Sequence, residues 1–138
     1  REERMRIVLA VQQGDLGLAL QLYLDAEPGL FVVGTATEAA SLRALLRTAG
    51  PDLVILDWDL PGYAPIHLLG EVKRLRCSPQ VIVLGRDGDV RREALAAGAE
   101  AFVLLGDPPG DLLETIRRSQ AWHREGTGTA AIPGNGVL

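Results

Sequence analysis

The chain has 138 residues, 47% of them hydrophobic and 23% charged, which is the balance of one globular domain with a proper core and no room for a second. Its formal charge of -4 and its scattered basic residues leave no concentrated positive face, which argues against direct nucleic-acid binding by this chain. The single cysteine, Cys77, cannot form an internal disulfide, and no apolar stretch approaches the ~20 residues that span a bilayer or has the layout of a signal peptide. The sequence therefore reads as a soluble cytoplasmic protein with no membrane partner.

Apolar residues arrive in short runs separated by segments of helical period. The first run is RIVLAV (6–11); Asp15 is then placed to cap a helix to about Ala26, with Leu16, Leu20 and Leu24 on one stripe and Pro28-Gly29 ending it. After LFVVGT (30–35), Thr37 opens a second helix in which Leu42, Leu45, Leu46 and Ala49 share a face, and Gly50-Pro51 stops it. DLVILD (52–57) leads to a helix from about Pro65 to Arg76, and QVIVLG (80–85) to a short helix capped by Asp89 and ended by Gly98. Last come AFVLL (101–105) and a helix opening on Asp111-Leu112-Leu113-Glu114, a variant of the capping box, with Leu112, Leu113 and Ile116 facing inward.

Runs that are almost wholly apolar, rather than alternating, belong to strands covered on both faces. The expected fold is α/β: a doubly wound, five-stranded parallel sheet in which strand and helix alternate five times. Residues 4–124 form the folded unit, and the Gly-, Thr- and Pro-containing stretch 125–138 reads as a flexible tail or linker.

In such sheets chemistry sits outside the carboxyl ends of the strands. The third strand ends in VILDWDLPG (54–62), where Asp57 closes a buried run and Asp59 follows before a Pro-Gly turn. Asp57 has two readings: a nucleophile, or a polar strand end that accepts hydrogen bonds from nearby backbone N–H groups. Asp59 reads as solvated or as capping the Pro61-Gly62 turn, and Trp58 as an aromatic covering the pocket mouth. GRDGD (85–89) lacks a phosphate-loop pattern and carries two carboxylates, so it reads as a solvated loop. His67 and His123 lack metal-type spacing and read as surface residues, and Cys77 as an ordinary thiol.

Over residues 5–120 the chain resembles the receiver domain of two-component response regulators, a flavodoxin-like fold, and is most similar to receivers that precede a helix-turn-helix. The likeness is carried by PDLVILDWDLPG (51–62), EALAAGAEAFVLL (93–105) and the Pro-Pro and acidic residue opening the last helix (108–112). The resemblance implies that Asp57 is the candidate phosphoacceptor. It also implies an acidic pair after the first strand that helps hold magnesium, a hydroxyl residue after the fourth strand, a lysine after the fifth and an aromatic, here Phe102, that changes rotamer on activation.

The sequence departs from that pattern at each support. The acidic pair falls on Val11-Gln12, or on Gln12-Gln13 with a one-residue slip, the hydroxyl position is Gly85 and the lysine position is Leu105. Lys73, the only lysine of the chain, stands mid-helix, so no slip restores the missing one. Asp57 would face magnesium almost alone, so no cofactor is expected and metal binding should be weak or absent. Arg86, beside the vacant hydroxyl position, is a possible charge substitute reaching back to Asp57.

These departures favour an atypical pseudo-receiver that is not an enzyme. It would act as a phosphorylation-independent interaction or dimerisation module, with a protein partner or attached effector and a homodimer face within 87–118. Two alternatives stand beside it: a working phosphoacceptor using Asp57, and an Asp-nucleophile phosphohydrolase. Against the latter, Pro61 replaces the residue its D-x-D motif needs and no catalytic lysine follows.

Overall fold

The computed structural model describes the backbone of residues 4–129 and the side chains of residues 4–121. Strands and helices alternate: β1 (Met5–Ala10), α1 (Gly14–Asp25), β2 (Leu30–Ala36), α2 (Ala39–Ala49), β3 (Leu53–Asp57), α3 (Pro65–Lys73), β4 (Gln80–Gly85), α4 (Gly88–Ala96), β5 (Ala101–Leu104) and α5 (Pro109–Thr129). The strands form one sheet in the order β2-β1-β3-β4-β5, every pair parallel. Winding therefore reverses at β1, whose two neighbours are β2 and β3, and the carboxyl ends of β1 and β3 lie side by side at that switch point.

The chain divides into two compact units, Arg1–Asp107 and Pro108–Leu138, the first holding the sheet with α1 to α4 and the second holding α5. In the first unit, one set of strand side chains (Val8, Ala10, Val54, Leu56, Val81, Val83) gathers into a buried cluster with Leu42 of α2, Leu68, Leu69 and Val72 of α3 and Ala94 of α4. The alternate positions, Ile7, Leu9, Ile55, Ile82 and Leu84, are buried as well. This two-sided burial is the physical reason the strands are apolar at consecutive positions rather than at every second one. In the second unit α5 buries Leu112 and Ile116, while Leu113 is half-buried.

Helix ends depart from the expected caps in a consistent way. The N-cap of α1 is Gln13 and that of α2 is Glu38, neither with a side-chain capping bond, so Asp15 sits inside the first turn and Thr37 lies outside the helix. Asp87, not Asp89, caps α4: its Oδ1 accepts the Asp89 amide at 2.8 Å. The acids expected as caps at 15, 89 and 111 instead occupy first turns, where the positive end of the helix dipole favours them. α5 opens at Pro109, a residue whose missing N–H costs nothing there, and runs to Thr129, past the boundary expected at 124; residues 130–138 of the expected linker lie outside the described residues. Gly50 ends α2 as expected, in the left-handed conformation with φ 56° that glycine adopts without strain.

The loop leaving β3 is pinned to α2. The Ala39 amide donates to the Pro61 carbonyl at 2.8 Å. Arg43 lies 4.3 Å above the Tyr63 ring and donates through Nε and Nη2 to the two oxygens of Glu71 of α3 at 2.9 and 3.2 Å. The Arg43 hydrogen bond, aided by its charge and opposed by burial, holds the Glu71 carboxyl below the ordinary range. A depressed folded-state value means that the stabilisation is fully present above the unfolded-state pKa of about 4.3 and is lost as pH falls through the lower folded value. Glu71→Gln should lower the melting temperature at pH 7, with the gap to the wild type closing below about pH 4. A gap unchanged down to pH 3 in thermal melts would contradict this.

Candidate functional site

Asp57 closes β3 at the switch point and is 1% exposed. Its carboxylate is held by main chain on both sides. Oδ2 accepts the Gln12 amide, from the turn just after β1, at 3.0 Å. Oδ1 accepts the Asp59 amide at 2.9 Å, and the Asp57 carbonyl accepts the Leu60 amide at 3.1 Å, which closes the turn. The Trp58 amide extends the ladder by donating to the Leu84 carbonyl at 2.8 Å. A buried carboxylate must be compensated by donors or cations, and here backbone amides of two separate segments provide that compensation.

The neighbouring positions interact mainly through their backbones. Val11 is buried, and its amide donates to the Ala36 carbonyl at 3.0 Å. Gln12 reaches Asp57 with its amide while the residue itself is exposed. Leu105 is half-buried, and its amide donates to the Gly85 carbonyl at 2.8 Å. Lys73 is committed elsewhere, to Glu100 at 2.5 Å and the Pro79 carbonyl at 3.3 Å, beside the amino ends of β4 and β5 and so at the far end of the strands from Asp57.

Two side chains differ from expectation. Arg86 does not reach Asp57: its Nε donates to Asp59 Oδ2 at 3.0 Å, with both side chains about half exposed. Asp59 is exposed, as expected of a solvated residue, and is ion-paired as well, because its side chain projects from the β3 loop toward the residue following β4. Trp58 is 8% exposed and belongs to the core cluster, not to a pocket mouth. Among the remaining candidates, His67 is exposed with its ring 6.0 Å from that of Tyr63, Cys77 is exposed, and the side chain of His123 lies outside the described residues.

Phe102 is half-buried with its ring over Gly85: a Cβ built on Gly85 would lie 2.6 Å from Cε1 of the ring. Sequence reading missed this contact. Its signal lies in the register, since Phe102 pairs with Val83 and Gly85 is the next residue on the same face. Among the described residues, no group of three or more His, Cys, Asp or Glu side chains is placed to hold a metal ion. A magnesium ion at the strand ends would meet the Asp57 carboxylate, each oxygen of which keeps a lone pair beyond the amide it accepts, but Val11 and Gln12 add no carboxylate and Asp59 is turned to Arg86. That set does not fit an ion that prefers octahedral oxygen coordination.

The family model of the response regulator receiver domain matches residues 12–117. The chain is 30% identical over 128 residues to a protein-glutamate methylesterase/protein-glutamine glutaminase of Anaeromyxobacter dehalogenans (strain 2CP-C), a match covering 86% of this chain and 36% of that protein. It is 31% identical over 118 residues to the transcriptional regulatory protein YvfU of Bacillus subtilis (strain 168), covering 83% of this chain and 58% of that one. The chain thus spans less than two thirds of either relative. The crystal structure of a CheY-like response regulator receiver domain protein from Methanospirillum hungatei JF-1 superposes with a TM-score of 0.80 at 22% identity, over 89% of this chain and 98% of that one, a likeness of fold. The expectation that the chain is not an enzyme is corrected by this relative's name, that of a methylesterase, of which the match takes in 36%. No helix among the described residues is long and apolar enough to cross a membrane.

Asp57→Ala should strand two backbone donors and cost about 1–3 kcal/mol in urea unfolding. Arg86→Ala removes only a half-exposed pair and should cost no more than about 1 kcal/mol. Equal costs for the two variants would contradict this division.

Proposed function

Given that the chain belongs to the response regulator receiver domain family, we propose that it is a phosphorylation-independent member, acting in cytoplasmic signal transduction as a protein-interaction or dimerisation module. The observation that carries this reading is the state of Asp57. Both of its oxygens accept backbone amides, and the residues beside it, Val11 and Gln12, offer no second carboxylate. A phosphoryl group would add about -1.5 to -2 charges at this point. Offsetting them calls for a metal ion and fixed donors. The chain has Gly85 and Leu105 where those donors would stand, and its nearby cation, Arg86, is already paired with Asp59.

The alternative of a phosphate-accepting Asp57 draws on that residue's position at the switch point, and would require a partner to supply the absent groups. The length of the named relatives beyond the matched region supports an attached effector as the immediate partner. A dimer would draw on the 87–107 part of the expected face, where Leu95 and Leu104 are each 37% exposed.

Trp58 adjoins Asp57, and the chain's other tryptophan is Trp122, so a Trp122→Phe protein reports on the site alone. Magnesium with beryllofluoride, a phosphoryl mimic, should leave its fluorescence flat. A saturable change at millimolar magnesium would overturn the proposal.

A further inference from the structure

β2 is an edge strand, with β1 beside it and, among the described residues, no strand on its other side. Its seven residues, LFVVGTA, include no charged residue and no proline, and Phe31 is 39% exposed. A sheet edge offers main-chain donors and acceptors to any second strand, and an apolar, uncharged run is the composition that most readily accepts one. The other edge, β5, is only four residues long. Two donors of β2 are closed from the α1 side: the Val32 amide donates to Asp25 Oδ1 at 2.9 Å and the Leu30 amide to the Glu27 carbonyl at 3.3 Å. Asp25 is the last residue of α1, so the helix end lays a carboxylate on the strand. The register with β1 skips Val33, passing from Ile7–Val32 to Val8–Gly34, a bulge that adds local twist.

We propose that Asp25 is a gate on the β2 edge, and that the partner it keeps out is the β2 strand of a second copy of this chain. Strand addition draws its affinity from main-chain hydrogen bonds rather than from particular side chains. Every copy therefore carries a complementary edge, and two such edges can pair about a twofold axis. Because β2 has no charged residue, no like charges meet across that pairing. What opposes it is the Asp25 carboxylate, which occupies the Val32 donor and brings a charge that an incoming strand would have to displace or desolvate. Removing the carboxylate frees that donor beside the exposed Phe31. The gate directs contacts between copies away from β2 whether or not Asp57 takes phosphate, so it stands apart from the proposed function.

Amide hydrogen exchange and sedimentation together test the gate. In the wild type the Val32 amide should be protected from exchange. In dilute solution Asp25→Ala should speed its exchange about tenfold, while the Leu9 amide inside the sheet keeps its rate. As concentration is raised, the sedimentation coefficient of the alanine variant should climb above that of the wild type. Asp25→Asn, whose side-chain carbonyl still accepts the Val32 amide, should restore most of the protection. Adding Phe31→Lys to Asp25→Ala sets a charge on the edge of each copy and should return sedimentation to the wild-type curve. The proposal is overturned by a wild-type Val32 amide that exchanges as fast as an unfolded one, or by an asparagine variant no better protected than the alanine one. It is equally overturned by an alanine variant that sediments like the wild type at every concentration, or by self-association that survives Phe31→Lys.

Discussion

Two hydrogen bonds onto one carboxylate organise the end of this sheet. Asp57 ends a strand buried on both faces, where an uncompensated charge would be costly, and the compensation comes from the amides of Gln12 and Asp59. One bond ties the segment after β1 to the segment after β3, the other folds the β3 loop back on itself. That loop is then fixed to α2 through Pro61 and to α2 and α3 together through Tyr63, Arg43 and Glu71. The switch point that this topology produces is therefore closed by main-chain hydrogen bonds.

The surrounding positions are satisfied in the same manner. Val11 and Leu105 each place an amide on a neighbouring strand's carbonyl, and the end of β4 is packed by the Phe102 ring against Gly85 and Val90. The charges that remain at the strand ends are paired with each other, Arg86 with Asp59, at the half-exposed rim where such a pair contributes little to stability. On the proposed reading such a site serves as a rigid surface, which draws on Arg86, the cation beside it, being engaged with Asp59.

Much of the fold was legible because burial on both faces leaves its mark on consecutive residues. QVIVLG matched β4 residue for residue, and the other runs fell within one or two residues of their strands. Helix starts were harder to place: Asp15, Asp89 and Asp111 suit a first turn as well as a cap, and only backbone geometry distinguishes the two. At the site, the position of Asp57 was legible because it closes an apolar run. The direction of Arg86 was not, since a long exposed side chain within reach of two carboxylates is sorted by geometry that one-dimensional spacing does not encode. Trp58 misled for a related reason: one residue past a strand end looks like surface, yet the ladder continues through its amide to Leu84 and turns the indole into the core. The contact of Phe102 with Gly85 required the β4–β5 register, which is a tertiary fact.

The most direct test of whether the Asp57 carboxylate is committed to structure is its reactivity. Incubating the protein with magnesium and a small acyl-phosphate donor, then weighing it intact beside an Asp57→Asn control, should give an unmodified mass in both. An added phosphate on the wild type that the asparagine variant lacks would contradict it.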